Sequence, residues 1–376
     1  MTIFLLDPGL RNLRGHHMKM VVDVREALRA RGQAVRVAGH RSLPAEQAEA
    51  CGAEPVFSVG TYDVLSDDAM CWPLETMLAG GRVLSADLQA FTVQDGDVMV
   101  WLMPTPAQVL AAAAWMPRWP ARVLSVFVGG LPFDRYDTLL WRFAWRRVPP
   151  RAITTVAATA EMMAQDYAHT LQCPVIVIPS THDSPVRDRR GASPPVIGVV
   201  GHQRPSKGIH VLPEVVRRTR APVRWLVHDS GGEVPDVLDA LEAFPNVEVV
   251  RGPVADWDSL LARCDALFMP YERARYERMH SGPVYEALAG GMPMIFPNTP
   301  ALMAQSEEGG RAVYAGDGPD VMAAAVDALV ERFDRLAAAA LQGAAAYRLR
   351  NGPGRWADWL IHHAETTLGP GAKAAP

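Results

Sequence analysis

Cysteine is scarce in this 376-residue sequence, and the four present, Cys51, Cys71, Cys173 and Cys264, are scattered and show no CxxC spacing. That pattern favours a reducing cytoplasm and argues against a structural zinc site. Long apolar runs are missing too, since no stretch approaches the roughly 20 residues that a membrane span needs. Residues 1–8 enter a short strand-like run with no basic leader, so we predict no signal peptide.

An excess of positive charge is also absent. The sequence has 37 Lys and Arg against 41 Asp and Glu, for a net charge of −4. Without surplus cations to neutralise phosphates, the sequence gives no reason to expect a nucleic-acid partner. Hydrophobic residues make up 49% and charged residues 21%, which is ordinary for a soluble globular enzyme. At roughly 100–200 residues per domain, the length predicts two domains.

Strand and helix patterns alternate along the first half. A strand at Ile3–Leu6 is followed by a helix at Met18–Arg31, where Val21, Val24 and Leu28 recur at helical spacing. Ala34–Ala38 is the next strand, which makes a βαβ unit with parallel strands. Further strands are predicted at Val98–Leu102, Val123–Val128, Thr154–Ala157 and Val175–Ile178. We assign residues 1–180 to an N-terminal Rossmann-like domain.

Residues 181–195 are polar, charged and rich in proline, and are predicted to be a linker. Alternation then restarts across residues 196–352, the predicted second domain, and ends in one alanine-rich helix at about residues 320–342. A helix in residues 353–368 is expected to pack back on the first domain, and residues 369–376 are expected to be a disordered tail. Two alternating blocks predict two doubly wound α/β domains facing each other across a cleft.

The loop Gly201–Gly208 (GHQRPSKG) lies between a predicted strand and a predicted helix. Its backbone N–H groups and the helix dipole point at one place, where Arg204 and Lys207 would stabilise a diphosphate. The alternative is an ordinary surface loop with two solvated cations. The loop is neither a Walker loop nor a GxGxxG fingerprint.

A second helix entrance begins at Ser281 and Gly282, with Pro283 near the first helical position and a glycine pair, Gly290–Gly291, at the end. Small residues there let a ligand approach the backbone closely. Glu286, about one turn in, would accept hydrogen bonds from ribose or sugar hydroxyls. Favourable pairing of that carboxylate with the helix dipole is the alternative.

These two motifs together resemble the donor domain of the family-four glycosyltransferases, which have the GT-B fold of two facing Rossmann-like domains. The shared pattern is a strand, G-x-x-R-x-x-K-G, several βα units, and then S-G-x-x-x-E-A-L-A-x-G-x-P before a strand. The resemblance implies that Arg204, Lys207 and the loop at Gly201 hold a donor diphosphate and that Glu286 holds the donor ribose. Helix-end amides at Ser281, Gly282 and Val284 would bind the phosphates. It also implies retention of anomeric configuration.

The sequence departs from the family pattern at one position. The family usually carries two glutamates separated by seven residues, and the first would fall on Arg278; Glu277 is adjacent but out of phase. The resemblance implies that the missing carboxylate contacts the transferred sugar. Arg278 either adds a phosphate contact or is a solvated loop cation, and both interpretations stay open.

The first domain has its own candidate loop, which contains Gly15, His16 and His17 before a helix. The resemblance implies that this loop borders the cleft and touches donor phosphate or acceptor, so we predict His16 and His17 as catalytic-site residues. A polar helix-capping loop is the alternative. Asp95–Gly96–Asp97 is a DxD string before a strand, where a β-turn is favoured over a metal site.

Residues 134–151 mix aromatic and arginine residues. That composition suits a helix at a membrane surface, although an amphipathic helix packed into the first domain is favoured.

Taken together, these features predict a cytoplasmic enzyme, with peripheral contact at the inner membrane face as an option. It would use a UDP- or GDP-linked sugar donor and a saccharide or lipid-linked saccharide acceptor, with no cofactor and no metal. A sugar-nucleotide epimerase and a non-catalytic nucleotide-sugar-binding protein are the rival hypotheses.

Overall fold

The computed structural model describes residues 1–12, 17–61, 63, 74–129, 137–307 and 309–369. The chain divides into two compact units. Unit 1 comprises residues 1–12, 17–181 and 353–369, and unit 2 comprises residues 182–352. Each unit is built around its own parallel sheet.

Unit 1 contains a seven-stranded sheet in the order β3-β2-β1-β4-β5-β6-β7, with every pairing parallel. Central strands are buried on both faces, and for this reason they read as continuous apolar runs such as VMVWL. The strands are β1 (Thr2–Leu6), β2 (Ala34–His40), β3 (Ala53–Phe57), β4 (Val98–Leu102), β5 (Leu124–Gly129), β6 (Ile153–Ala158) and β7 (Val175–Val177).

Helices cover both faces of this sheet. In the first of them Val21, Val24 and Leu28 are buried, which confirms the helical spacing predicted there. The described helices between the strands are α1 (His17–Arg29), α2 (Ala45–Cys51), α3 (Leu74–Asp87), α4 (Pro106–Trp115), α5 (Asp137–Trp145) and α6 (Glu161–Leu171). On α5 the indole of Trp141 is buried and lies against the ring of Tyr167. For this residue, the prediction that the helix packs its aromatic side chains into the first domain is confirmed.

Unit 2 contains a six-stranded parallel sheet in the order β10-β9-β8-β11-β12-β13. Its strands are β8 (Val196–Val199), β9 (Arg224–Asp229), β10 (Val247–Arg251), β11 (Ala266–Phe268), β12 (Met294–Pro297) and β13 (Arg311–Tyr314). Its helices are α7 (Leu212–Arg218), α8 (Pro235–Glu242), α9 (Trp257–Ala262), α10 (Gly282–Gly290), α11 (Pro300–Gln305), α12 (Pro319–Glu331) and α13 (Phe333–Arg350).

The predicted single helix over residues 320–342 is wrong, because the structure has two helices that meet at Arg332. The sequence there has high helix propensity and no glycine or proline to mark a break. The break follows from packing: α12 lies against α7 and β13, whereas α13 lies against α10. Strands β3 and β13 were also not predicted.

Residues 182–195 lie within unit 2, and the side chain of Arg189 is buried there. The last helix, α14 (Pro353–Leu368), lies within unit 1 and packs on α1. Trp356 and Leu360 join the same buried cluster as Val21 and Val24. None of the described helices is both long and apolar enough to cross a membrane.

Both sheets are doubly wound, which confirms the predicted α/β class. In each sheet the strand order reverses beside its first strand, between β1 and β4 in unit 1 and between β8 and β11 in unit 2. Open parallel sheets bind ligands outside the carboxyl ends of their strands at such a reversal. The favoured turn at Asp95–Gly96–Asp97 is also present, since Gly96 has a φ of 88° and Asp97 accepts a hydrogen bond from the backbone N–H of Gln94.

Candidate functional site

A small cavity lies at the strand-order reversal of unit 2. It is lined by residues from the end of β8, from the loop Gly201–Gly208, from the end of β11 and from the start of α10. Lys207 and Pro283 both line it, although they are far apart in the sequence. The two motifs that the sequence singled out therefore meet at one place.

The loop Gly201–Gly208 is shaped by a left-handed glycine at its end. Gly208 has a φ of 73°, and a Cβ atom placed on it would lie 1.9 Å from the carbonyl oxygen of Pro270. No other residue type avoids both the backbone strain and the collision. Gly208 therefore lets this loop pack directly against the chain that follows β11.

The cations of this loop have partners within unit 2. The Nζ of Lys207 donates a hydrogen bond to the carbonyl oxygen of His202 at 2.7 Å. The Nε of Arg204 lies 3.7 Å from Oε1 of Glu233, and the same oxygen is 2.5 Å from Nε2 of His202. Burial, and then the positive charge of Arg204, lower the pKa of Lys207 to about 8. Two neighbouring cations on one loop make it suited to an anion of more than one charge.

A buried carboxylate organises the backbone beside these cations. Asp229, at the end of β9, accepts hydrogen bonds from the backbone N–H of Gln203 at 2.9 Å and of Gly231 at 2.9 Å. It also accepts one from the N–H of Gly232 at 2.7 Å. A buried carboxylate with three such donors holds two loops in one arrangement. Sequence reasoning missed Asp229, whose signal is an aspartate at a strand end followed by Ser-Gly-Gly.

The turn at Ser281 is clamped by a neighbouring amide. Gln305 accepts a hydrogen bond from the N–H of Ser281 at 3.0 Å and donates one to its carbonyl oxygen at 2.7 Å. The Oγ of Ser281 is 3.0 Å from the hydroxyl of Tyr271, whose ring stacks on that of Tyr276. Burial raises the pKa of Tyr271 to about 12, so this hydroxyl stays protonated. The entrance of α10 is thus held rigidly.

Helix α10 begins at Gly282 with no hydrogen bond from the side chain of Ser281 to cap it. The first N–H groups of a helix have no partner within the helix and attract anions. The side chain of Val284 is buried in the core of unit 2, so only its backbone is suited to a ligand. Glu286 is 5% exposed, and the Oγ of Ser184 donates a hydrogen bond to its Oε2 at 2.6 Å.

Arg278 is exposed on the loop between β11 and α10. It makes at least one interaction of its own. Its position on the surface is compatible with either interpretation from the sequence, a ligand contact or a solvated cation. Its role stays a prediction.

The predicted loop of unit 1 is described only from its last residue. Gly15 and His16 lie outside the residues that the structure describes, whereas His17 begins α1 and is buried. The Nδ1 of His17 is 2.8 Å from Oδ2 of Asp7, which is fully buried. A Cβ atom on Gly9 would lie 2.4 Å from this imidazole ring. His17 therefore holds the loop after β1 in place, and its catalytic role stays a prediction.

Comparison with known proteins agrees with this geometry. Residues 194–332 match the family model of the glycosyl transferases group 1. No curated protein matches the chain. Among the residues that the structure describes, no group of three or more His, Cys, Asp or Glu side chains is arranged to hold a metal ion.

Several solved structures share the fold over nearly the whole chain. HepE of Anabaena, solved with UDP and glucose, is 15% identical, with 96% of this chain and 99% of that one covered and a TM-score of 0.65. Sucrose-phosphate synthase of Thermosynechococcus elongatus is 12% identical over 96% and 98%, with a TM-score of 0.69. The pneumococcal O-GlcNAc transferase GtfA, solved with UDP and GlcNAc, is 10% identical over 98% and 99%, with a TM-score of 0.67.

The two doubly wound sheets and these likenesses define a protein of the GT-B fold. With the family match over residues 194–332, which lie in unit 2, the chain is a glycosyltransferase of this fold.

Proposed function

We propose that the protein transfers a sugar from a UDP- or GDP-linked donor to a hydroxyl group of a saccharide or lipid-linked saccharide. Such a reaction would belong to polysaccharide or glycolipid assembly. The observation that carries the proposal is the cavity in unit 2 that Lys207 and Pro283 both line. Solved structures of HepE and GtfA contain UDP, which makes UDP the first nucleotide to test.

The chemistry explains why a cationic loop and a helix entrance are needed. The bond between the anomeric carbon and the diphosphate oxygen breaks, and its electron pair leaves with the diphosphate. The anomeric carbon bonds to the acceptor oxygen, whose proton passes to the leaving diphosphate or to solvent. Lys207, Arg204 and the first amides of α10 would stabilise the growing negative charge of the leaving group.

Other parts of the proposal rest on the resemblance. Glu286 would bind the donor ribose. Residues 1–180 would form the acceptor domain, with the loop at Gly15, His16 and His17 touching donor phosphate or acceptor. We also propose retention of anomeric configuration, which the anomeric signal of the product in NMR tests. Chelation by EDTA is expected to leave turnover unchanged.

Calorimetric titration with UDP and GDP, followed by the sugar-linked forms of the nucleotide that binds, tests the donor site. We expect one diphosphate to bind with micromolar affinity. Absence of binding by both would contradict the proposed site. Turnover is then measured with saccharide and lipid-linked acceptors.

The replacement of a family glutamate by Arg278 favours one second candidate, a protein that binds a nucleotide sugar without transferring it. Nucleotide binding with no consumption of any donor and acceptor pair would support that candidate. Incubation with donor alone separates an epimerase, because the sugar of the donor would change while no transfer occurs.

A further inference from the structure

The segment from His182 to Arg189 follows helix α10 from end to end. The imidazole of His182 stacks on the ring of Tyr285, with 5.0 Å between ring centroids. A Cβ atom on Gly282, the first residue of α10, would lie 3.8 Å from Nε2 of His182. At the far end, Arg189 donates a hydrogen bond to the carbonyl oxygen of Gly290 at 2.7 Å. We call residues 182–189 the flanking segment.

The middle of the flanking segment makes its own contact with α10. The hydroxyl of Ser184 donates a hydrogen bond to Oε2 of Glu286 at 2.6 Å, and the two side chains are both almost fully buried. A hydrogen bond from a buried hydroxyl to a carboxylate is short and strong. It fixes the rotation of the carboxylate and limits the other orientations that Glu286 can take.

Ser184 is itself held in place from outside α10. Arg348, on α13, donates a hydrogen bond to Oδ1 of Asp183 at 2.9 Å and a second one to the carbonyl oxygen of Ser184. The backbone N–H of Ser184 donates to Oδ1 of Asp183 at 2.9 Å. The hydroxyl therefore reaches Glu286 from a fixed backbone.

From these contacts we infer that Ser184 is a positioning residue, which orients the carboxylate of Glu286 toward the ribose hydroxyls of a nucleotide diphosphate. The inference rests on the proposed function, in which Glu286 binds the ribose. A carboxylate accepts well from two adjacent hydroxyls only when its plane is set, and Ser184 sets it. Loss of Ser184 should therefore weaken recognition of the ribose more than recognition of the diphosphate.

The experiment compares UDP with 2′,3′-dideoxyuridine diphosphate, and GDP with its dideoxy analogue, by calorimetric titration. For the wild type we expect the ribose form of the better nucleotide to bind about tenfold or more tightly than the dideoxy form, because a hydrogen bond to a charged group is lost. Ser184→Ala should reduce this ratio by roughly threefold or more. It should leave the affinity for the dideoxy form nearly unchanged.

Two further variants make the test specific. Glu286→Ala should bring the ratio close to one, and adding Ser184→Ala to it should change nothing more, because Ser184 acts through Glu286. Ser125→Ala is the matched control, since Ser125 is a buried serine of unit 1 that accepts a hydrogen bond from the indole of Trp101. It should leave the ratio at the wild-type value.

The possible results distinguish the role of Ser184 from the ribose role of Glu286 and from the proposed function. Equal weakening of both nucleotide forms by Ser184→Ala, or no change in either, would overturn the role of Ser184 while the ribose role of Glu286 stands. A wild type that does not distinguish the ribose from the dideoxy form would overturn the ribose role and the inference together. A wild type that binds neither diphosphate would overturn the proposed function itself.

Discussion

The ammonium group of Lys207 donates a hydrogen bond to the carbonyl oxygen of His202, 2.7 Å away on the same loop. The contact holds the cation against its own backbone at the edge of the cavity in unit 2. In this position burial and the charge of Arg204 lower the pKa of Lys207 to about 8. An anion that binds there would restore the pKa toward its usual range.

This relationship predicts a pH dependence of nucleotide binding. Above pH 8 the free protein loses the proton of Lys207, so the amine of Lys207 has to take up a proton from solvent when a diphosphate binds. The affinity for UDP or GDP should hold up to about pH 8 and then fall, by up to about tenfold per pH unit. Calorimetry at pH 7, 8 and 9 in buffers of different ionisation enthalpy measures both the affinity and the proton uptake.

Lys207→Arg is the matched control for that experiment, because arginine keeps its charge throughout this range. It should remove the decline above pH 8. Lys207→Ala and Arg204→Ala should each weaken binding by about 10- to 100-fold, the value of a charged hydrogen bond, without unfolding the protein. Wild-type affinity in both alanine variants would contradict the assignment of the cations.

Glu233 is predicted to compete with the ligand for the cations. Its carboxylate accepts from His202 and lies 3.7 Å from Nε of Arg204, so it would repel a bound diphosphate. Glu233→Gln should tighten binding of UDP or GDP roughly two- to fivefold, as expected for removal of a partly exposed charge. Titration of the purified variant measures the change.

Glu248→Gln controls for a general effect of net charge, because Glu248 pairs with Arg263 elsewhere on unit 2. We expect it to leave the affinity unchanged. Equal tightening in both variants would show that long-range charge, not the contact with Arg204, is responsible.

Gly208→Ala should destabilise unit 2 strongly. The new Cβ atom would meet the carbonyl oxygen of Pro270, and alanine would be strained at a φ of 73°. The combined cost is about 2–5 kcal/mol, from the left-handed conformation and from overpacking. Gly252→Ala isolates the conformational part, because Gly252 has a φ of 85° and open space around it.

Thermal unfolding, followed by calorimetry of the wild type and both variants, checks this prediction. Gly252→Ala should cost only about 1–2 kcal/mol. Similar losses in the two variants would show that the contact with Pro270 relaxes at little cost.

Arg189 is predicted to be a structural cation of unit 2. It is 4% exposed and donates hydrogen bonds to the carbonyl oxygens of Cys264 and Gly290 at 3.1 and 2.7 Å. Arg189→Met should cost about 2–5 kcal/mol, because the carbonyl oxygen of Gly290 loses the hydrogen bond from Arg189 and that of Cys264 keeps only the longer one from Arg187, at 3.3 Å. Arg187→Met is the control, since the side chain of Arg187 is 45% exposed and pairs with Asp265, whereas that of Arg189 is buried.

The free energy of unfolding of each variant is measured by denaturant titration, in which protease cleavage within unit 2 reports the unfolded fraction. We expect Arg187→Met to change the free energy of unfolding by less than about 1 kcal/mol. Equal stability of the wild type and Arg189→Met would contradict the role of Arg189 at the end of α10.

Much of the fold could be predicted because its signals are local. Strands such as Val98–Leu102 are continuous apolar runs, and the structure confirms them to within a residue or two. The break between α12 and α13 could not be predicted, because no glycine or proline lies near Arg332. The two helices are separate because α12 packs on α7 and β13, whereas α13 packs on α10. Strand β13 is only four residues long, and its residues alternate between buried and more exposed positions. Its sequence therefore lacks the continuous apolar run that predicts the central strands.

The candidate site shows the same division. The sequence by itself determined two motifs that can bind a ligand, Gly201–Gly208 and Ser281–Glu286. Each motif can be recognised because its glycines, charged residues and helix start are close together in the sequence. Only the tertiary structure decided that they share a cavity, since that depends on β8 and β11 being neighbours in the sheet. It also decided that Ser184 bonds Glu286 across 102 positions, because a hydrogen bond between distant residues exists only once packing has brought them together.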